Sequence, residues 1–214
     1  MARDGQSRQP RSDENQILEQ FQKAISGLGQ GELHRRLQDL LAAGTNGLDP
    51  FERPRPPSRR RPPRSDVVTY QVRVNLAGTK PPLWRRLELA SDLHLDQVHD
   101  IMQIAFGWTD SHLHKFGCGG PHPFSDETED YLSPWEIEDG GVGVPEGEVR
   151  LDEVLVDAGD KLFYSYDYGD GWEHVVKLEA VRPRDERAPR AICTTGRRPG
   201  PAEDCGGVGG YELI

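Results

Sequence analysis

Histidine and acidic side chains that could bind a metal ion are concentrated in two short segments of this 214-residue chain. His112 and His114 stand two apart in SHLHKF, so on a strand they point to the same side. Asp170 and His174 occur later, in YDYGDGWEH. Imidazole and carboxylate groups bind Zn²⁺ or another divalent metal, and an open coordination position activates water for hydrolysis. These four residues are therefore a candidate metal site. The alternative is a structural network in which the histidines are partly buried and hydrogen-bond to the acids.

The second candidate is a binding surface around the same YDYGDGWEH segment. Residues 160–179 predict a β-hairpin, because alternating residues lead into YGDG at 168–171, and Asp-Gly tolerates the positive φ of a tight turn. A turn requires the glycines, but it does not require so many acids and aromatic rings. These residues are therefore a candidate binding surface, although anchoring of the core is the favoured role of the tryptophans. The predicted surface comprises Trp84, Trp108, Tyr166, Asp167, Tyr168, Asp170 and Trp172.

Two weaker metal candidates lie elsewhere in the chain. Cys193 and Cys205 could supply two zinc ligands beside Asp204, although packing in a Gly-rich segment is the favoured interpretation. The acidic segment FSDETEDY could bind Mg²⁺ or Ca²⁺, but it lacks the ligand alternation and the glycine of a calcium-binding loop. A solvated loop is favoured for its acids, which are Asp126, Glu127, Glu129 and Asp130.

Composition and charge restrict the class of protein. No apolar run approaches the ~20 residues of a membrane span, and the N-terminus lacks the apolar core of a signal peptide, so we expect a cytoplasmic protein with no membrane partner. Residues 1–65 carry 12 Lys and Arg against 8 Asp and Glu, whereas residues 66–214 carry 14 against 28. The acidic region would repel a phosphate backbone unless its positive groups were clustered. The sequence also lacks a P-loop, a dinucleotide-binding glycine pattern and a nucleophile elbow.

The chain divides into three predicted regions. Residues 1–43 comprise a polar tail and a helical hairpin, and residues 44–65 form a Pro/Arg-rich linker. The linker centre, RPRPPSRRRPPR from Arg53 to Arg64, favours an extended polyproline II conformation. It is either a basic tether that contacts nucleic acid or an acidic surface, or a solubilising spacer. Residues 66–214 form the main domain.

The main domain has the pattern of an α+β fold. Strands are predicted at residues 67–76 and 83–89, followed by an amphipathic helix over 95–106 with His99 at its surface. A long loop rich in Gly, Pro and acids is expected over 119–147, and irregular chain is expected after residue 181. We predict an antiparallel or mixed sheet of about five strands packed on one main amphipathic helix. The final residues read as the start of a helix, so we also expect a C-terminal truncation.

Several ordered motifs carry a resemblance to a known family. They are the Gly-Trp after the helix, His-Leu-His, YDYGDGWEH and EDCGG. Together they make residues 67–212 similar to the plasmid pRi ORF-3-like family, also described as TnpR-like passenger proteins of insertion elements. The resemblance implies a small bacterial α+β domain, often encoded on plasmids and transposons, with no established enzymatic activity. Family members usually continue past the Gly-Tyr-Glu with further helix, which supports the expected truncation.

The TnpR label suggests a resolvase, but the residues exclude that chemistry. A serine recombinase requires an activated serine among arginines, whereas Ser7 and Ser12 lie in a polar tail. A tyrosine nucleophile requires an Arg/His cluster, whereas the tyrosines of the hairpin are surrounded by acids that repel a phosphate. The sequence therefore predicts a non-catalytic binding or interaction module of a mobile element. Its partner would be an unidentified protein, or nucleic acid through the linker. The alternative is a metal-dependent hydrolase or nuclease that uses the His/Asp site.

Overall fold

The computed structural model describes residues 56–213. The predicted polar tail and helical hairpin, and the beginning of the linker, lie outside the described residues. Residues 56–213 contain an eight-stranded sheet. Its neighbouring strands are antiparallel except for one parallel pair, so the sheet is mixed. The prediction of an α+β fold is confirmed, whereas the prediction of about five strands is wrong.

The strands and helices follow one another along the chain. The strands are β1 (Thr69–Leu76), β2 (Trp84–Ala90), β3 (His114–Cys118), β4 (Glu129–Leu132), β5 (Val144–Pro145), β6 (Lys161–Tyr166), β7 (Trp172–Arg182) and β8 (Ala191–Arg197). Their order in the sheet is β5-β4-β3-β6-β7-β1-β2-β8, and β4 and β5 are the parallel pair. The helices are α1 (Leu95–Phe106), α2 (Pro134–Glu138), α3 (Leu151–Val154) and α4 (Gly207–Tyr211), with a 3₁₀ turn at Glu146–Glu148. The predicted helix over 95–106 is confirmed, but three short helices accompany it in the part of the chain that the structure describes.

The core lies between one face of the sheet and α1. Side chains of β1 alternate between buried and half-buried, so that Tyr70 and Val72 point to the same inner face. The apolar stripe of α1, which includes Val98 and Met102, is buried in the same cluster. The helix ends at Gly107, whose φ of +84° is a conformation that favours glycine. No helix within residues 56–213 is long and apolar enough to cross a membrane.

The additional strands come from segments that the sequence pattern assigned to loops. The predicted loop over 119–147 contains β4, α2 and β5, and the chain after residue 181 contains β8. Most side chains of β8 are exposed, so backbone pairing with β2 holds this strand at the edge of the sheet. An alternating apolar pattern marks strands that bury one face, and β8 buries almost nothing. The predictions of a loop and of irregular chain are therefore wrong for these segments.

Candidate functional site

The predicted hairpin is confirmed: β6 ends at Tyr166 and β7 begins at Trp172. Asp167 opens the turn with a φ of +53°, and its Oδ1 accepts hydrogen bonds from the N–H groups of Gly169 (3.0 Å) and Asp170 (3.2 Å). An aspartate that bonds its own turn in this way tolerates the left-handed conformation. One carboxylate oxygen of Asp167 is thus committed to the turn, and Oδ2 faces the segment before β3.

Most aromatic residues of the predicted binding surface lie inside the protein. Trp108, Tyr166 and Trp172 are buried, and the rings of Trp108 and Tyr166 stack with centroids 4.7 Å apart. The Trp108 indole N–H donates to the carbonyl oxygen of Pro201, and the Tyr166 hydroxyl donates to Glu203 at 2.6 Å. These rings therefore anchor the segment that follows β8 to the core, in agreement with the favoured interpretation of the tryptophans.

Trp84 lies on the opposite face of the sheet from these three rings. Its neighbour Arg85 points inward among the core residues, so Trp84 points outward. The guanidinium groups of Arg73 and Arg86 lie 4.4 and 5.5 Å from the centre of its ring. Trp84 accordingly belongs to a cation–π cluster on the polar face. The structure does not unite the predicted residues into one surface.

Tyr168 is the exposed aromatic residue of the turn, and it lines a groove with residues that the sequence analysis missed. Its hydroxyl donates to Glu136 in α2. Burial and this hydrogen bond raise the pKa of Tyr168, so the phenol remains a neutral donor. The groove has a volume of about 720 Å³ and is called the Trp135 groove below. Its lining residues are Leu113, Trp135, Glu136, Glu138, Asp139, Gly140, Gly141 and Tyr168.

Helix α2 positions the tryptophan of this groove. Ser133 caps the helix by accepting from the backbone N–H of Glu136 (3.4 Å), and the Glu136 carboxylate reaches back to the N–H of Ser133 (3.3 Å). Pro134 begins the helix, where its missing N–H costs nothing. Trp135 is 74% exposed. The sequence signal for it was a single Trp directly after Ser-Pro, which is a helix start within an acidic and Gly-rich stretch.

His112 and His114, which were predicted to share one metal site, lie in two different clusters. His99 and His114 stack with ring centroids 3.5 Å apart and an interplanar angle of 8°. His99 Nε2 bonds Asp110 at 2.9 Å and His114 Nε2 bonds Glu146 at 2.9 Å. Burial and the adjacent His114 ring lower the pKa of His99, because two stacked imidazolium ions would repel each other. His99 is buried beneath the sheet, so its predicted position on the helix surface is wrong.

His112 belongs to the second cluster. Its Nε2 lies 3.7 Å from Oδ2 of Asp167 and 3.4 Å from Oδ1 of Asp204, and it has no hydrogen-bond partner. The prediction that His112 and His114 share a side assumed that both lie on a strand. The strand begins only at His114, so the alternation of strand side chains does not extend to His112.

The other two residues of the predicted metal site join neither cluster. His174 is buried beside the rings of Phe106 (4.7 Å) and Trp108 (5.4 Å). Asp170 accepts a hydrogen bond from the backbone N–H of Gly206 at 3.1 Å. The predicted set of His112, His114, Asp170 and His174 is thus divided among four places in the fold.

The weaker metal candidates also have other surroundings. Neither Cys193 nor Cys205 belongs to a cluster of three or more potential ligands within residues 56–213. Glu129 accepts from the hydroxyl of Tyr131 (2.9 Å) and from the backbone N–H of Arg59 (2.6 Å). Asp130 pairs with Lys115 at 3.0 Å. These two acids are therefore structural, and the interpretation as a solvated loop is wrong for them.

The described residues of the Pro/Arg-rich linker lie along the domain. Arg60 pairs with Glu153 at 2.9 Å, and Arg61 pairs with Asp157 at 3.1 Å. Arg64 donates to the hydroxyl of Tyr70 (2.9 Å) and to the carbonyl oxygen of residue 156 (2.6 Å). Arg60 and Arg61 thus neutralise acidic groups of the domain, and Arg64 is hydrogen-bonded to it, so at least this portion of the segment is not a free tether.

The fold and the two polar clusters define an α+β domain whose single mixed sheet carries a conspicuous β6–β7 hairpin turn. The chain belongs to the plasmid pRiA4b ORF-3-like protein family, whose sequence profile matches residues 68–214. It is 32% identical over 154 residues to "Uncharacterized protein y4hQ" of Sinorhizobium fredii (strain NBRC 101917 / NGR234). The aligned region covers 66% of this chain and 69% of that protein. The crystal structure of MM3350 from Methanosarcina mazei Go1, a protein of unknown function, has a TM-score of 0.61 and 31% identity. That similarity covers 70% of this chain and 80% of MM3350.

Proposed function

We propose that this domain is a non-catalytic interaction module, and that the Trp135 groove binds a basic peptide segment of a partner protein. The observation that carries the proposal is the exposure of Trp135 beside Leu113 and Tyr168 in one groove. Contiguous exposed apolar side chains mark interaction sites, and tryptophan is among the residues that contribute most to binding energy at protein interfaces.

Helix α2 supports this role because it contributes nothing to the core. None of its residues is buried, yet a capping box at Ser133 and the hydrogen bond from Tyr168 to Glu136 hold it in place. A five-residue helix has little stability of its own. Its fixed position presents Trp135 in a defined orientation, which lowers the entropy that a binding partner must remove.

The charge of the groove indicates the chemistry of the partner. Glu136, Glu138 and Asp139 line it, and no Lys or Arg is among the lining residues. Negative potential attracts a Lys- or Arg-bearing segment and repels a phosphate backbone. An apolar or aromatic residue of the partner would pack on Trp135 while its basic residues approach the acidic rim.

The test measures binding of fluorescent Lys/Arg-rich peptides, each with one central aromatic or leucine residue, to the full chain. The best peptide should bind about tenfold more weakly to Trp135→Ala, and increasing salt should weaken binding to the wild type. Ile104→Ala is the matched control, because Ile104 is an 82% exposed apolar residue of α1. The proposal would be contradicted if the peptide bound the wild type and Trp135→Ala with equal affinity, or if no peptide bound the wild type with a Kd below about 1 mM.

The same proposal includes the genetic setting and the location of this module. Membership of the plasmid pRiA4b ORF-3-like family supports a cytoplasmic protein that is encoded on a plasmid or another mobile element. Nucleic acid is the weaker partner candidate for the segment from Arg53 to Arg64, because three of its arginines already pair within the domain. Replacement of Arg53, Arg55 and Arg59 by alanine keeps the bonds that Arg60, Arg61 and Arg64 make to the domain, and it should weaken nucleic-acid binding and reduce its salt dependence if that interaction occurs.

A further inference from the structure

Within residues 56–213, three potential metal-ligating atoms from separate side chains lie within 4.8 Å of one another in two places. One group contains His99, Asp110 and His114, and the other contains His112, Asp167 and Asp204. The groups differ in a property that decides between them, which is whether the ligand atoms already have hydrogen-bond partners.

The first group is hydrogen-bonded as it stands. His99 Nε2 lies 2.9 Å from Asp110, and His114 Nε2 lies 2.9 Å from Glu146. These distances are typical of N–H···O hydrogen bonds. An ion at this position would have to displace both bonds, so the group is satisfied without one.

The second group contains an unpartnered nitrogen. His112 Nε2 is shielded from solvent and has no hydrogen-bond partner, although two carboxylates flank it at 3.4 and 3.7 Å. Both distances exceed the usual hydrogen-bond range of about 2.7–3.2 Å. Bonds of about 2.1 Å to one ion place neighbouring ligands roughly 3.0 Å apart at right angles and 3.4 Å apart at the tetrahedral angle. The distance to Asp204 matches the tetrahedral value, and the distance to Asp167 exceeds it by a few tenths of an ångström.

We propose that Nε2 of His112, Oδ2 of Asp167 and Oδ1 of Asp204 bind one divalent transition-metal ion of the Zn²⁺ or Mn²⁺ class. One imidazole and two carboxylates suit these ions better than they suit a thiolate-preferring metal. Three protein ligands leave at least one coordination position for water. The side chain of Asp204 is 80% exposed, so this position is accessible from solvent.

The surrounding structure holds the three ligands in place before an ion arrives. The turn amides of Gly169 and Asp170 fix Oδ1 of Asp167, which leaves Oδ2 directed at His112. Asp167 is almost fully buried, and a cation beside Oδ2 would add to the compensation that the two turn amides give to Oδ1. The backbone N–H of Gly206 donates to Asp170, and this bond holds Asp204 next to the turn. The ion would therefore connect the β6–β7 turn to the segment after β8.

A competing explanation needs no metal, since a protonated His112 could attract both carboxylates by charge alone. The two explanations differ in calorimetric titration of the full chain, free of any histidine tag, with ZnCl₂ or MnCl₂. The proposal predicts one equivalent of bound ion and a rise in Tm at saturation. Less than about 0.1 equivalent at 1 mM metal would overturn it, because a site that weak is not a metal site.

Variants of the ligands locate the ion. Asp204→Asn and His112→Gln should each weaken binding at least about tenfold, since loss of a supporting outer-shell group alone costs 10–100-fold. Asp204→Asn tolerates the φ of +56° and changes only an exposed group. Asp110→Asn in the other cluster and His122→Gln at an exposed histidine should bind within about twofold of the wild type. Unchanged affinity in both ligand variants, or loss of binding in Asp110→Asn alone, would overturn the assignment.

Discussion

The free energy of unfolding should fall as the pH decreases from 7 to 5, because the fold requires a neutral His174. The carbonyl oxygen of Tyr164 can only accept a hydrogen bond, so the 3.3 Å contact assigns the proton to Nδ1 of His174. Nε2 then carries a lone pair, and it has no partner among the aromatic rings around it. A second proton at Nε2 would create a buried and unpaired charge.

The size of the effect follows from the pKa of His174, which burial lowers from 6.5 to about 3. Between these values the unfolded chain binds a proton that the folded protein excludes, so stability is lost as the pH falls below 6.5. At pH 5 this linkage favours the unfolded state by about 2 kcal/mol, against about 0.2 kcal/mol at pH 7. His99, whose pKa is also lowered, acts in the same direction.

The assay is urea unfolding at pH 7 and pH 5, followed by tryptophan fluorescence, for the wild type and His174→Leu. Leucine fits the apolar surroundings and cannot titrate, so the loss of stability between the two pH values should be about 2 kcal/mol smaller in this variant. His174→Gln, which keeps a polar group at the position, serves as a second non-titrating variant. Equal pH dependence in the wild type and both variants would refute the assignment of this effect to His174.

Three further predictions concern packing and reactivity. The hydroxyl of Ser165 is buried without a hydrogen-bond partner, so Ser165→Ala should leave the free energy of unfolding in urea unchanged or raise it. A decrease of more than about 1 kcal/mol would contradict this. A Cβ at Gly200 would lie 1.8 Å from the last carbonyl oxygen of α1, so Gly200→Ala should lower the free energy of unfolding by about 1–3 kcal/mol. Gly209→Ala is the control, because a Cβ there would meet no atom within 4 Å. Similar Tm values for the two variants would contradict the predicted steric clash. Burial raises the pKa of the Cys118 thiol to about 11, so at pH 8 a thiol reagent should modify exposed Cys193 first, and equal rates would be inconsistent with this burial.

The features that the sequence predicted well are those that depend on neighbouring residues. The hairpin turn required only Asp-Gly chemistry between two alternating runs, and α1 required only a helical apolar period and a terminal glycine. The family could be recognised because its motifs keep their order along the chain. Each of these signals is complete within a few residues.

The arrangement of the candidate site could not be predicted because it depends on long-range packing. His99 was assigned to a helix surface, and only the docking of α1 beneath β3 brings its ring onto His114. The proximity of His112 and Asp204 likewise brings together residues that are far apart in the chain. Trp135 was missed for another reason, since a largely exposed side chain on a five-residue helix belongs to no periodic apolar pattern.

The arginines that precede β1 also affect where a stable fragment of this domain should begin. The backbone N–H of Arg61 donates to the carbonyl oxygen of Glu153 at 2.8 Å, and that of Arg64 donates to the buried carboxylate of Asp152. A fragment that started at the family match, residue 68, would lack these donors and the charges that neutralise this surface. We therefore expect the folding unit to begin upstream of residue 68, because Arg61 and Arg64 bond the domain ahead of the region that the family profile matches.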